Sequence, residues 1–108
     1  MDFIRTIERD ETETWIQDLL AKEEHPYPLP FMPRNAGTGD HMYLCWRGRI
    51  IARARIIDIA PRENPVYVGT FGREVGPGST VVVGGWEHAP RDIAYRGYQG
   101  IRYTEPLW

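Results

Sequence analysis

The chain has 108 residues, 42% of them hydrophobic, and a formal net charge of −2, which predicts one domain over residues 1–108 and leaves too little chain for two cores. No apolar run approaches the ~20 residues of a membrane-spanning helix, and the N-terminus lacks the apolar stretch of a signal peptide, so we expect a cytoplasmic protein without membrane contact. The one cysteine, Cys45, excludes an internal disulfide and is expected to be a buried strand residue with no catalytic role.

Charge is distributed unevenly along the chain. Residues 1–24 contain eight acidic and three basic residues, a net charge of −5, and the remainder carries +3. All ten basic residues after position 24 are arginines, and the planar guanidinium both matches phosphate and stacks on aromatic rings. A polyanionic partner would explain this excess, and a codon bias toward arginine would explain it equally well.

Residues 11–24 are predicted to form the single helix. Its apolar stripe at helical spacing consists of Trp15, Ile16, Leu19 and Leu20. Asp10 or Thr12 could cap the first turn, and the His25-Pro26 step ends the helix. The acidic residues of this segment would repel a polyanion, so we expect any nucleic acid to bind on the opposite side of the molecule.

Residues 25–38 are predicted to form an extended, polyproline-like strap that covers one end of the core. The segment contains four of the nine prolines, interleaved with apolar residues. Such a composition favours an extended conformation over regular secondary structure.

The next segment predicts a β-hairpin. His41–Trp46 and Ile50–Ile59 are rich in strand-forming residues, and Arg47-Gly48 between them can form a tight turn. Side chains alternate across a strand, so Ala52 and Ala54 share one face with Ile50 and Ile56, whereas Arg53 and Arg55 share the other with Ile51 and Ile57. Small apolar residues suit the inside of a narrow barrel, with the arginines outside.

The rest of the chain predicts short strands separated by glycine-rich turns. In order, the predicted elements are a strand Val66–Phe71, a loop Gly72–Ser79, a strand Thr80–Val83, an interruption at Gly84–Trp86, a loop Glu87–Asp92, and strands Ile93–Tyr95 and Ile101–Thr104. The fold class is therefore mainly β (α+β). We expect a small antiparallel or mixed β-barrel over residues 39–104, with the N-terminal helix covering an opening.

Three short motifs resemble the PUA-like group of small β-barrels, which includes the PUA, ASCH and EVE domains. The first is Gly39-Asp40 followed by a strand, the turn at Gly48 and the strand Ile50–Ile59. The second is the approach Gly76-Pro77-Gly78 to the strand Val81-Val82-Val83, and the third is the segment Gln99–Tyr103, which is similar to the closing strand of some small bacterial relatives. The resemblance covers about residues 28–104.

This resemblance implies recognition of RNA or of a modified base in DNA, held in a cleft between the barrel and its flanking segments. EVE-like members enclose a base with aromatic residues, and Trp46 and Trp86 are counterparts by type. Some ASCH-type proteins hydrolyse acylated cytidines with a lysine, a threonine and a glutamate. The one lysine here, Lys22 in the predicted helix, lacks the glycine-rich context of that set, so the resemblance does not extend to this activity.

The first candidate site lies at the tip of the hairpin. There Trp46 could stack a base while Arg47 and Arg49 hold its phosphate, and such stacking contributes ~1–3 kcal/mol per base. The alternative is that Trp46 packs against the proline strap and the two arginines are only solvated.

The second candidate is the predicted loop after Gly85, which gathers Trp86, Glu87, His88 and Arg91. Loops held by a rigid scaffold often carry binding groups, so this cluster is the favoured pocket wall. The alternative is a surface loop that the tryptophan pins to the core.

The third candidate lies near the C-terminus, where Tyr95, Arg96, Tyr98, Arg102 and Tyr103 alternate aromatic and basic side chains. Arg96 could contact phosphate and Gln99 could contact a base edge. An exposed strand with cross-strand aromatic pairs would have the same composition.

The spacing of the three histidines matches no compact ligand motif, so we expect neither a metal nor another cofactor. The leading hypothesis is a noncatalytic module that binds single-stranded RNA or a flipped, modified base. One alternative is a small amidohydrolase acting on a nucleoside-like substrate, with Glu87 and His88 as acid-base residues. The other is a protein-interaction module that uses the strap or a sheet edge. The oligomeric state cannot be read from the sequence.

Overall fold

A computed structural model describes residues 1–68, 73–97 and 100–108, with Arg73 described by its backbone only. The elements are β1 (Asp2–Thr6), α1 (Glu13–Leu20), β2 (Glu24–Leu29), β3 (His41–Trp46), β4 (Arg49–Arg62), β5 (Val66–Val68), β6 (Arg73–Val75), β7 (Gly78–Ala94) and β8 (Ile101–Thr104). The prediction of a mainly β protein with one N-terminal helix is confirmed for the described residues. That helix is also too short and too polar to traverse a bilayer.

Six of the strands form one sheet in the order β2-β7-β4-β3-β1-β8, and β5 pairs with β6 in a separate ribbon. The neighbours β1 and β3 are parallel, and every other neighbouring pair is antiparallel. Because β2 and β8 lie at opposite edges, the sheet stays open over the residues described. The predicted closed barrel is therefore not found.

The hairpin prediction is confirmed in its strands and in its turn. Arg47 and Gly48 both have positive φ, 51° and 79°, and this pair of left-handed residues matches the right-handed twist of the two strands. A bulge beside Cys45 shifts the register, so that Ala52 pairs with Leu44 but Ile50 pairs with Cys45. The bulge turns Ile50 to the face opposite Ala52, which corrects the predicted alternation.

Strand β7 is the largest departure from the predicted elements. It runs without a break through residues 84–92, which the sequence predicts as an interruption and a loop. The glycine at position 85 has a φ of +67°, and the register against β4 shifts at three places. A left-handed glycine can be absorbed as a bulge, which bends a strand without ending it.

The helix is shorter than predicted because the chain leaves it to join the sheet. Thr12 caps the first turn, and its Oγ1 accepts a hydrogen bond of 3.1 Å from the backbone N–H of Trp15. At the other end, Ala21 is the C-cap, and Glu24 already pairs with Gly84 of β7. Pairing with β7 therefore replaces the predicted last turn of the helix.

The first residues of the predicted strap form β2 and not an irregular segment. Pro26 pairs with Val82 and Pro28 with Thr80 at this edge of the sheet. An edge strand tolerates proline because half of its N–H positions face away from the neighbouring strand. Residues 30–38 follow without a described helix or strand.

The β5–β6 ribbon corrects the predicted loop at 72–79. Val66 pairs with Val75, and β7 begins at Gly78. The predicted strand Val66–Phe71 is found as Val66–Val68, and its last residues lie outside the described ones. The predicted last strand, Ile101–Thr104, is confirmed.

The sheet has a core on each face. The larger core packs α1 against the sheet, and its buried residues include Ile16, Leu19, Met42, Ala54 and Ile56. The smaller core contains Ile4, Tyr43, Cys45 and Ile50, against which Leu107 and Trp108 pack. The C-terminal segment thus covers one face while the helix covers the other.

Candidate functional site

The two predicted base-stacking tryptophans are half-buried in the structure. Both Trp46 and Trp86 pack against the larger core, and the indole N–H of each is buried with no hydrogen-bond partner among the described residues. The guanidinium carbon of Arg47 lies 4.3 Å from the centroid of the Trp46 ring. Trp46 is therefore a half-buried packing residue with a cation over one face and not a fully exposed platform.

Arg47 also ties the hairpin turn to the loop before α1. Its Nε donates to the carbonyl oxygen of Arg9 over 3.0 Å, and a terminal nitrogen donates to the carbonyl oxygen of Glu11 over 3.4 Å. The side chain is exposed, so the charge of the guanidinium still faces solvent.

Arg49 lies on the other side of the turn and makes a different interaction. Its guanidinium forms an ion pair with Asp92 of β7, and both side chains are more than half exposed. An exposed pair of this kind contributes about 0–1 kcal/mol to stability. The hairpin tip thus presents two arginines, of which Arg49 is partly neutralised.

Four arginines line a cavity of about 580 Å³ at the edge of the sheet, beside the hairpin turn. We call this the arginine cleft: Arg5, Arg9, Arg47 and Arg96. Its described lining includes one acidic residue, Glu8. The cleft therefore has an excess of positive charge in a protein whose net charge is −2, which favours an anionic ligand.

The parallel pairing of β1 with β3 builds this cleft. Parallel neighbours end at the same edge of a sheet, so the residues after Arg5 meet the residues that lead into the hairpin turn. The backbone N–H of Ile7 extends the pairing by donating to the carbonyl oxygen of Cys45 over 2.8 Å. The N–H of Tyr95 donates to the carbonyl oxygen of Gly48 over 2.9 Å, which brings the segment with Arg96 to the same place.

Small residues keep the floor of the cleft open. Gly48, Gly97 and Gly100 line it together with Thr6. A Cβ on Gly97 would lie 2.8 Å from Cγ2 of Thr6, a distance that side chains do not tolerate. A larger residue at position 97 would therefore require the Thr6 side chain to shift, whereas glycine lets the last segment lie directly against β1.

Cys45 lines the cleft but has the properties of a structural residue. It is fully buried, and its Sγ donates to the carbonyl oxygen of Tyr95 over 3.6 Å. Burial raises the pKa of the thiol, so the thiolate needed for nucleophilic chemistry is disfavoured.

The predicted cluster on β7 contacts the C-terminal segment. Glu87 accepts a hydrogen bond of 2.8 Å from Nε of Arg53 and one of 3.4 Å from the indole N–H of Trp108. Arg91 donates to the carbonyl oxygen of Leu107 over 2.7 Å. These residues fasten residues 105–108 to the sheet and do not line the arginine cleft.

The adjacent residues Glu87 and His88 occupy different environments. The hydrogen bond from Arg53, followed by that from Trp108, lowers the pKa of the Glu87 carboxyl. His88 is exposed and pairs in register with Ala52, one position along from the pairing of Glu87 with Arg53. Successive strand residues point to opposite faces, so the two side chains do not converge on one reacting group.

The third predicted cluster is divided by the fold. Arg96 lies in the arginine cleft, whereas the hydroxyl of Tyr103 accepts hydrogen bonds from the backbone N–H groups of Arg34 and Asn35. Tyr103 therefore holds the segment before β3 in place. The predicted Tyr98 and Gln99 lie outside the described residues.

Sequence reasoning missed Arg5 and Arg9 as site residues. Both belong to a segment whose overall charge is acidic, and strand β1 was not among the predicted elements. The strand-forming residues Phe3, Ile4 and Thr6 were a signal for a strand, but no local pattern indicates that this strand pairs in parallel with one some 40 residues later. Over the described residues, no group of three His, Cys, Asp or Glu side chains could hold a metal ion.

Comparisons with known proteins do not place the chain in a family. No protein-family model, curated protein or solved structure matches it. The similarity to PUA-like domains therefore remains a prediction.

Proposed function

We propose that the protein binds single-stranded nucleic acid, with the phosphate backbone held in the arginine cleft. The convergence of four arginines from three segments of the chain on one cavity of about 580 Å³ carries this proposal. Guanidinium groups bind phosphate oxygens in two-point geometry, and several of them along one groove can follow a backbone. The cleft has the volume of a nucleotide-sized site, which favours an unpaired strand over a duplex.

Trp46 does not line the cleft but is joined to it through Arg47, which does. Its ring lies under the guanidinium of Arg47, and a base approaching the phosphate site could stack on this pair. A modified base is one form that such a ligand could take. The proposal assigns Arg47 and Arg96 the phosphate role expected from the sequence and adds Arg5 and Arg9.

A PUA-like relationship and a cytoplasmic location belong to the same proposal. The confirmed hairpin around Gly48 and the mainly β fold support the relationship, and a cytoplasmic protein would meet single-stranded RNA. The hydrolase alternative has less support, because Glu87 is held by Arg53 and Trp108. For the interaction-module alternative, the described part of the chain offers no contact that favours it over nucleic-acid binding.

Fluorescence anisotropy with labelled oligonucleotides tests the proposal. We would titrate the protein into single-stranded RNA and DNA of about ten nucleotides, a length that spans one site of this size, and into duplexes with plain or methylated cytosine. Affinity for the preferred single strand should fall steeply between about 50 and 200 mM salt, because phosphate binding releases counterions.

Substitution of Arg96 by Gln locates the binding site. Arg96 is exposed in the cleft, so its loss should weaken binding about tenfold and reduce the salt dependence without unfolding the protein. The matched control is Arg55→Gln, which removes an exposed arginine of β4 outside the cleft. Equal losses in both variants would show unspecific attraction, and no binding by the native protein would exclude the proposal.

A further inference from the structure

A second cavity, of about 590 Å³, lies between α1, the edge strand β2 and the β5 strand. Among the described residues, it shares no lining residue with the arginine cleft. Its volume is within the range of small-molecule sites. We call it the aromatic cavity, after Trp15, His25, Tyr27 and Tyr67.

Aromatic rings from three elements form the walls of this cavity. Trp15 of α1 is half-buried, and His25 meets Tyr27 edge to face with ring centroids 5.0 Å apart. Tyr67 of β5 is 68% exposed although it lies at an apolar cavity. The unliganded protein leaves this aromatic surface exposed to water. A flat ligand between the rings would cover it.

Apart from Asp18 and Lys22, the polar side chains at the cavity are uncharged hydrogen-bonding groups. Burial, together with the nearby charge of Lys22, lowers the pKa of His25, so at neutral pH its ring offers one donor and one acceptor. Burial raises the pKa of Tyr27 to about 12, which keeps its hydroxyl protonated. The hydroxyl of Thr80 is a further donor and acceptor at the cavity.

Charge at the cavity disfavours an ionic ligand of either sign. Asp18 and Lys22 of the α1 region both line it, so their formal charges balance. A phosphate would also meet residues 13–24, which run from α1 to the start of β2 at this cavity and contain four acidic residues and one basic residue, a net charge of −3. A cation would meet the ammonium of Lys22, which is close enough to affect His25.

We propose that the aromatic cavity binds an uncharged, planar heteroaromatic molecule of nucleobase or nucleoside size. Tyr67 and Trp15 stack on its faces, and His25, Tyr27 and Thr80 contact the donors and acceptors along its edge. The site is separate from the arginine cleft and does not depend on nucleic-acid binding there.

Isothermal titration calorimetry tests this site with adenosine, guanosine, cytidine, uridine, adenine and cytosine as probes. At least one of these probes should bind in a saturable way. The corresponding nucleoside 5′-monophosphate should bind about tenfold more weakly than this probe, because the residues around the cavity are acidic. Binding to a base within a polymer can be separated from binding to a free base by repeating the titration with a short oligonucleotide that carries the preferred base.

Tyr67→Ala should reduce affinity for the preferred probe about tenfold or more, the effect of removing one stacked ring. Tyr67 is exposed, so this variant should fold. Met32→Ala is the control, because Met32 is an exposed apolar residue that does not line the cavity. Tyr67→Ala with unchanged affinity, or native protein that binds no probe at millimolar concentration, overturns the proposal. A further outcome would also overturn the proposal: the monophosphate binds more tightly than the nucleoside, and Arg96→Gln abolishes that binding. The ligand would then belong to the arginine cleft.

Discussion

Arg47 combines a backbone role with a side-chain role at one position. Its backbone has a left-handed conformation, with a φ of 51°, at the first position of the hairpin turn. Its guanidinium covers Trp46 and donates to the loop before α1. The two roles can be separated because asparagine followed by glycine is the preferred sequence for such a turn.

We therefore expect Arg47→Asn to retain the hairpin while removing the guanidinium. Affinity for single-stranded nucleic acid should fall about tenfold, and thermal unfolding should change little, since a better turn residue offsets the lost contacts. Anisotropy and differential scanning calorimetry measure the two effects. Arg47→Asn with native affinity would remove Arg47 from the proposed site.

His25 gives the stability of the protein a defined dependence on pH. Because burial and then Lys22 lower its pKa below the ordinary 6.5, the unfolded chain takes up the proton more readily than the native one. The contribution of His25 to the free energy of unfolding is therefore at its full value above pH 6.5. It decreases as the pH falls below 6.5, because proton uptake then favours the unfolded chain.

Urea denaturation at neutral pH and at pH 5.5 should show a smaller decrease in stability for His25→Gln than for the native protein. His88→Gln is the control, since His88 is an exposed histidine of β7. The same decrease in all three proteins would mean that His25 is not the group responsible.

Among the elements, the β2–β7 pair depends on two glycines. A Cβ on Gly84 would lie 2.5 Å from the carbonyl oxygen of Glu23, and one on Gly78 would lie 2.3 Å from the backbone nitrogen of Phe31. Both contacts are to backbone atoms, which cannot rotate away as a side chain can. The glycines therefore allow β2 and its flanking residues to lie closely against β7.

Gly84→Ala should lower the free energy of unfolding by about 1–3 kcal/mol, the usual cost of overpacking. Gly76→Ala is the control, because a Cβ there meets no described atom within 4 Å. The free energy of unfolding of this variant should differ from that of the native protein by no more than about 0.5 kcal/mol, or be slightly higher. Chemical denaturation of the two variants distinguishes these outcomes. A stable Gly84→Ala protein would show that β2 can move aside.

The elements also show which parts of the fold were readable in the sequence. Arg47-Gly48 between two strand-like segments has a local turn chemistry, so the hairpin was predictable. Gly84-Gly85 was misread as an interruption, because the sequence does not show whether a neighbouring strand will absorb the glycines as a bulge. The arginine cleft depends on the parallel pairing of β1 and β3, a long-range contact that no local pattern of residues indicates.

At the scale of the whole molecule, the C-terminal segment completes the smaller core. The rings of Trp108 and Tyr43 meet edge to face, with their centroids 5.1 Å apart. The guanidinium carbon of Arg53 lies over the Trp108 ring, 4.8 Å from the centroid of that ring. The backbone N–H of Leu107 donates to the hydroxyl of Tyr43 over 2.9 Å. Residues 105–108 therefore protect this face of the sheet as α1 protects the other.

Trp108→Ala should lower the free energy of unfolding by about 2 kcal/mol, from the lost aromatic pair and the lost cation contact. Trp108→Phe keeps an aromatic ring but removes the hydrogen bond to Glu87. The decrease in the free energy of unfolding should therefore be smaller for Trp108→Phe than for Trp108→Ala. Guanidinium denaturation followed by circular dichroism measures both. An Ala variant as stable as the native protein would mean that the segment is dispensable for folding.

The position of the prolines in β2 has a consequence for self-association. Alternate residues of this edge strand direct their backbone away from β7, and two of the three positions with that parity, 24, 26 and 28, are prolines, which have no N–H to donate. An added strand from another molecule would find acceptors there without matching donors. Extension of the six-stranded sheet by strand addition is thus disfavoured on the β2 side, so we expect any strand added to this sheet to pair with β8.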